Sequence, residues 1–434
     1  MMGSRDVCVG IDIGTSSVKA VAVDPDGEVV SRVRIPHRLH VPAADRMEHD
    51  PTQAWRRGPR RALAGLHLDR SPRALSVAAM VPSFTAVDGR GRPLGPGLLY
   101  GDDRGRTGSG GGEAAGFLRW LAGEHPGAAA YWPAQAVANH ALGGVGAIDG
   151  GTAFSTFPLF GLSGWDVDVL KAAGVDAQQL PLVVGNGEPI GVVGDAVLGA
   201  SSVDAMAEQL VAGATGPGDV LVICGTTLIV WANVDHDRAV EGLMSIPSLS
   251  PGRPAVLGGA SNAGGLFLDW ASRLFARGHR PARPDHVPVL LPYVRGERTP
   301  YDDSTLRASV HGLGLTHDAA AARRGAFEAS GFAARHLLDL TGVTGRRIVA
   351  TGGGTRSPEW MQALADATGL PVDVAAVPEG AALGAAWFAR MAAGLEASAD
   401  DAQRWARTSH RVEPHPDWVG PVADRYQAYR ALAP

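Results

Sequence analysis

VCVGIDIGTSSVKAVAVD, Val7 to Asp24, is the stretch whose reading decides the fold. Apolar residues alternate with small or polar ones as far as Ile13. A Gly14-Thr15-Ser16-Ser17 turn follows, and Val18, Ala20 and Ala22 resume an extended pattern. Period-two alternation on both sides of a glycine-led turn is the signature of a β-hairpin. The turn offers backbone N–H groups, hydroxyls and the nearby Lys19 ammonium, all donors suited to phosphate oxygens. Asp12 sits at the end of the first strand, where a carboxylate could hold a magnesium ion. A plain surface hairpin would show the same alternation, so this turn alone does not decide between the two readings.

The pattern occurs twice. Val220 to Asp235, VLVICGTTLIVWANVD, repeats an apolar strand, a Gly225-Thr226-Thr227 turn and a second strand ending in Asn-Val-Asp. Laying Gly14-Thr15-Ser16 on Gly225-Thr226-Thr227 also superposes Asp24 on Asp235. A long-spaced repeat predicts two related domains, each presenting a phosphate-sized turn. The copies differ in one respect: Ile223 stands where Asp12 does. Two loops could grip a polyphosphate, and one of them could position its metal.

A chain of 434 residues predicts two or three domains with sizeable cores. The net charge of −5 and the lack of a long basic run give no support for nucleic-acid binding. The Arg56-Arg57 and Arg60-Arg61 pairs read as a solvated helix face. Cys8 and Cys224 both fall in apolar strand patterns and read as buried thiols in a reducing compartment. The opening Met-Met-Gly-Ser-Arg-Asp shows no apolar signal segment, and there is no run of about 18 apolar residues to span a membrane. A cytoplasmic, membrane-free setting is the expectation.

After Asp24, Pro25-Asp26-Gly27 is a turn, and Glu28 to Pro36 predicts a third antiparallel strand. Three strands followed by helices and further strands suit an α/β domain with a mixed sheet. Met47 to Pro51 turns into a helix containing Trp55, and Ala74 to Met80 is another strand. Leu98 to Arg104 ends a strand in polar residues. Ligands of such sheets lie beyond strand ends, so Asp102 and Arg104 are site candidates, with a surface ion pair as the alternative. Arg104 to Gly112 is glycine-rich and expected to be mobile. Ser201-Ser202 before a small-residue run predicts a helix start, with Asp204 in the first turn, where the helix dipole favours its ionised form. That acid either stabilises the helix end or faces a cleft as a proton acceptor. Gly216-Pro217-Gly218-Asp219 marks the domain boundary, giving units 1–217 and 218–434. Further on, the Arg347–Thr351 strand enters Gly352-Gly353-Gly354, with Ser357 as N-cap and Pro358 at the first helical position. This strand, triple glycine and helix N-terminus make a nucleotide cradle. Both the Walker ending and G-x-G-x-x-G are absent. Glu379 to Ala386 opens a small-residue helix expected to pack tightly.

Taken in order, these blocks resemble the FGGY carbohydrate kinases of the actin/hexokinase/Hsp70 ATPase superfamily, xylulokinase-like members especially. The matching stretches are GIDIGTSSVKAVAVD, DGRGRPLGPGLLYGDDR, AIDGGTA with GWD, DAMAEQLVAGATGPGD, CGTTLIV, YVRGERTP, ATGGGTRSPEWMQALADATGLPV and PEGAALGAAWFA. The resemblance implies two actin-like (ribonuclease H-like) α/β domains closing on ATP, magnesium and a sugar. The family's catalytic base falls on Asp204, and its metal-associated carboxylate on Asp12, acting through water. Its ATP-phosphate loops fall on Gly14, Thr15 and Ser16, with Lys19 beside them, and on Gly225, Thr226 and Thr227. Its nucleoside side falls on Gly352, Gly353, Gly354 and Ser357, and its substrate-contacting acid on Asp102. Xylulokinases typically carry Gln-Met-His-Gly where this chain has Ala79-Met80-Val81-Pro82, so Met80 fits and Val81 departs. The Arg-Glu pair of glycerol kinases is missing. The acceptor expected is a small sugar or polyol, with a cyclitol, sugar acid or signalling metabolite as the alternative. A silent sugar or nucleotide sensor is the non-enzymatic alternative. A homodimer is compatible with this reading.

Overall fold

The structure, a computed structural model, describes residues 7–43, 45–106, 112–161, 163–236, 238–246, 255–275 and 281–434. Most of the glycine-rich stretch expected to be mobile, residues 107–111, lies outside the described residues. The chain divides into two compact units. Met1–Val211 joins Glu379–Trp405 in the first, and Ala212–Pro378 joins Ala406–Pro434 in the second.

Each unit is built on a mixed sheet grown from its hairpin. In the first, β1 (Cys8–Ile13) pairs antiparallel with β2 (Ser17–Val23), which pairs with β3 (Val29–Pro36). On its other side β1 runs parallel to Ala74–Ala79, followed by the parallel strand Ala196–Val203 and the antiparallel edge Pro189–Val193. In the second unit, Asp219–Cys224 pairs antiparallel with Leu228–Val234 and parallel with Arg347–Thr351. Val372–Ala375 continues in parallel and Thr408–Val412 closes that side antiparallel. The repeat seen in sequence is thus a repeat of sheet order and strand sense, with Ala255–Ser261 and Met244–Ile246 extending the second sheet.

All six residues of β1 are buried, so its alternation does not separate core from solvent. It separates a large-residue face from a small-residue face. Val9, Ile11 and Ile13 join the core cluster that includes Trp55, Leu75 and Val77. Across the other face, Gly10, Ser76 and Gly199 stand side by side on three paired strands. The Gly380–Ala392 helix lies directly on this row. A Cβ on Gly10 would come within 1.8 Å of the Ala382 carbonyl oxygen, and one on Gly199 within 2.5 Å of the Ala392 Cβ. The Ser76 hydroxyl donates to the Ala385 carbonyl at 2.6 Å. The small-residue helix therefore packs as tightly as its composition predicts, but against the first unit. This is why 379–405 belongs there; the first stretch of the unit ends at Val211, where the sequence suggested 216–219.

A second difference concerns Ser201 and Ser202. They are the two residues before the last of the Ala196–Val203 strand, and the helix Asp204–Ala212 begins at Asp204 itself. Parallel pairing of Ala200 with Val77 and Val203 with Ala79 brackets the serines, which lie in a register break within the strand rather than at a helix start. In the second unit, the 23-residue helix Ala319–Thr341 is capped by the Asp318 side chain and by Gly342 at φ 65°. It packs with Pro358–Thr368 over the core around Val222, Val230 and Ile348.

Candidate active site

The first hairpin turn carries the charges expected of it. Its Gly14 N–H donates to the Ser17 carbonyl at 3.1 Å. One extra turn residue relative to the second hairpin shifts the pairing register by one. Asp12 therefore stands opposite Lys19 in the first, whereas Ile223 stands opposite Ile229 in the second. A one-residue shift exchanges the faces of every side chain beyond it. Lys19 Nζ donates to Asp12 Oδ2 at 2.9 Å, and the Asp12 charge, against burial and with smaller contributions from Glu208 and Asp204, pushes the lysine pKa up. Asp12 Oδ1 is buried and has no hydrogen-bond partner. A buried carboxylate oxygen without a donor fits a hydrated cation, so Asp12 suits Mg²⁺ on this observation. A Cβ on Gly14 would stand 3.8 Å from Asp12 Oδ2 and 4.0 Å from Lys19 Nζ, filling the space in front of both charges.

Asp204 is delivered by the strand–helix junction of the same unit. Its Oδ1 accepts the Ala205 N–H at 2.8 Å. Burial, and after it the Asp12 charge, push its pKa up to about 6 against that N–H and Lys19. The dipole argument from sequence is therefore outweighed: desolvation dominates, and the acid is poised nearer neutrality than a surface aspartate. Asp149 braces this junction. Its carboxylate caps the Gly150–Phe154 helix and accepts from Ser202 Oγ at 3.3 Å and Asn186 Nδ2 at 3.1 Å.

The Met80, Val81 and Asp102 block adjoins the first turn, though not as a row of exposed ligand groups. Met80 N–H donates to the Ile13 carbonyl at 3.1 Å, while its side chain lies in the core. Val81 is half-buried before a cis Pro82. Asp102 is fully buried and accepts from Met47 N–H at 2.8 Å, and from Arg104 N–H, Nε and Nη2 at 2.6–3.2 Å. Arg104 also reaches Glu48 at 2.6 Å. The surface ion pair weighed from sequence is thus a buried pair. Tyr100 hydroxyl bonds the Thr15 hydroxyl.

In the second unit, Gly225 N–H donates to Thr227 C=O at 3.1 Å, closing that turn. At the triple glycine the three positions separate. Gly352, at φ 86°, and Gly354 pack on the Cys224 backbone, which a Cβ would meet at 2.8 and 2.7 Å; Gly353 faces open space. A short 3-10 turn, Gly353–Arg356, intervenes before the Pro358–Thr368 helix, so that helix N-terminus does not open at the glycines. Ser357 caps it, its side chain accepting the Trp360 N–H at 3.3 Å.

Sequence reasoning missed His49, Trp55 and Tyr100 as neighbours of the first turn, reading their segments as a helix entry and a strand. It also missed Glu297, which accepts from Ser261 Oγ, Asn262 N–H and Arg298 N–H at 2.7 Å, and which burial pushes up to about 7. A buried acid inside a polar loop leaves no periodic signal. Among the described residues, no helix is long and apolar enough to cross a membrane.

Comparison with known proteins agrees with this geometry. Residues 7–109 match the N-terminal domain of the FGGY family of carbohydrate kinases, and residues 220–393 match its C-terminal domain. The chain is 29% identical to the xylulose kinase of Streptomyces rubiginosus, covering 92% of this chain and 90% of that one. It is 26% identical to the gluconokinase of Bacillus subtilis over 98% and 94%. The crystal structure of xylulose kinase from Rhodospirillum rubrum superposes with a TM-score of 0.79 at 27% identity, covering 98% of each chain. With both domains matched in order along the chain, this protein belongs to the FGGY family of carbohydrate kinases and is an ATP-dependent sugar kinase.

Proposed function

We propose that this kinase phosphorylates a hydroxyl of a small sugar, polyol or sugar acid, with Asp204 as the base that takes the hydroxyl proton. The observation that carries the reading is the pairing of two acids of different character in one unit. Asp12 is tied to Lys19 with a bare buried oxygen, and Asp204 has a pKa of about 6. Such a separation of roles is what acid–base chemistry near neutral pH requires.

The acceptor oxygen attacks the γ-phosphorus, the new O–P bond forms as the bond to the β–γ bridging oxygen breaks, and ADP leaves; the proton passes to the Asp204 carboxylate. Phosphoryl transfer needs mainly alignment and charge neutralisation. Gly14, Thr15, Ser16 and Lys19 of the first unit, and Gly225, Thr226 and Thr227 of the second, bind phosphate oxygens, with Gly353 open toward the nucleoside. Mg²⁺ held by Asp12 through water would supply charge neutralisation on those oxygens. Met80 and Val81, the two residues that follow the Ala74–Ala79 strand, tune the acceptor, while Asp102 orders Arg104 and the Met47 backbone. A cytoplasmic setting suits Cys8 and Cys224, both buried.

The xylulose kinase, gluconokinase and glycerol kinase relatives bracket the acceptors to be tried first. The test is ADP release with Mg·ATP across ketopentoses, ketohexoses, heptuloses, polyols, cyclitols and sugar acids, run beside Asp204→Asn. A substrate-dependent signal that disappears in the variant is the expected result. Turnover retained by Asp204→Asn would remove the base assignment.

A further inference from the structure

We propose that His49 is a positioning residue for the nucleotide phosphates: its Nε2–H holds the Thr15 carbonyl back, so that the first turn presents N–H groups outward. The inference rests on the phosphate role of that turn given above.

A turn can cradle an anion only if its carbonyls face away, and a trans peptide points C=O and the next N–H in opposite directions. Holding a carbonyl therefore aims the following N–H. In the second unit a helix does this. Gly265 N–H and Leu266 N–H, at the start of the Gly265–Leu274 helix, donate to the Gly225 and Thr226 carbonyls at 2.8 and 3.1 Å, which aims the Thr226 and Thr227 N–H groups the other way. The first hairpin is followed by β3, and among the described residues its Thr15 and Ser16 carbonyls accept no N–H from a helix start. There His49 Nε2 bonds the Thr15 carbonyl at 2.7 Å, in the place of Leu266 N–H, and His37 N–H donates to the Ser16 carbonyl at 3.1 Å.

The surroundings fix the histidine as a donor. Trp55 Nε1–H donates to His49 Nδ1 at 3.0 Å, leaving the proton on Nε2. Burial, reinforced by His37 and His40, lowers the His49 pKa to about 3, so the ring is neutral across physiological pH. Trp55 owes its own place to Gly97, where a Cβ would lie 2.4 Å from the indole. The His37 ring meets His49 edge-on at 4.5 Å. Two unrelated devices, one a helix start and one a tautomer-locked side chain, do the same work on two copies of one hairpin.

The test compares His49→Met, which fills the space without a donor, with His49→Gln, whose amide can reach the same carbonyl, and His49→Asn, whose amide falls short. Titration calorimetry with ATP, ADP and adenosine gives affinities, and steady-state assays give KM for ATP and for the acceptor. The expected result is a loss of ATP and ADP affinity of roughly tenfold or more in His49→Met, the scale of a buried acceptor losing its donor. Adenosine affinity and acceptor KM stay within about twofold, and His49→Gln recovers most of the loss. Unchanged ATP affinity in folded His49→Met, or an equal loss for adenosine, would overturn the inference. Should His49→Met fail to fold, equal ATP affinity in the Gln and Asn variants would do so. If the wild-type enzyme phosphorylates nothing in the acceptor panel, the functional reading fails separately, and the nucleotide affinities still decide on His49.

Discussion

At the scale of single residues, the proposed base Asp204 is expected to contribute oppositely to stability and to catalysis. Its folded pKa of about 6 lies above the ordinary aspartate value of 3.8. Below pH ~4 the carboxyl is protonated in both states and carries no penalty. As pH rises through about 6 the folded protein must accept a charge that burial and Asp12 disfavour, which costs on the order of 2–3 kcal/mol once complete. Asp204→Asn is therefore expected to melt several degrees higher than wild type at pH 8, with the gain vanishing near pH 4, while turnover is abolished and ATP binding is retained. In wild type, kcat/KM is expected to fall about tenfold per unit as pH drops below about 6; a flat profile to pH 5 would reject the assignment. Gly14→Ala meets no protein atom closer than 3.5 Å, so it should fold with a nearly unchanged melting temperature. Its methyl group occupies the space before Asp12 and Lys19, and a rise in KM for ATP of about tenfold or more is expected.

At the scale of elements, glycines of one motif separate into two that pack on neighbouring backbone and one that faces open space. Gly352→Ala places a Cβ at φ 86° and 2.8 Å from the Cys224 carbonyl, and urea melts should show a loss of about 2 kcal/mol or more. Gly353→Ala, with open space around it, should match wild type in the same melts. Any loss of nucleotide affinity in Gly353→Ala then reports a ligand contact. The triple glycine was legible as a candidate stretch because strand, glycines and a capped helix are local features. The division of labour within it was not, because it depends on how closely Cys224 approaches from a strand more than a hundred residues away. The same holds for Asp102, whose carboxylate could be read as a candidate but not as already saturated by Arg104 and Met47.

At the scale of the whole molecule, the two units repeat one sheet order but not one chain boundary. A fragment ending at residue 217 would leave the Gly10, Ser76 and Gly199 row without the Gly380–Ala392 helix, exposing a face shaped for backbone contact. Such a fragment is expected to aggregate, and supplying residues 379–405 in trans should restore a cooperative urea transition; a soluble, cooperative fragment without it would refute the unit assignment. The sequence by itself determined the two hairpins, the α/β class, the repeat and the family, and it singled out Asp12, Lys19 and Asp204 as candidates, since alternation, turn chemistry and residue type are written locally. Only the tertiary structure decided three further matters. The late small-residue helix belongs to the first unit, Asp204 sits where burial outweighs its helix N-terminus, and His49 stands behind the first turn. Each depends on which distant segments come within a few ångströms of one another, and close approach, desolvation and hydrogen-bond saturation act over that range and no longer.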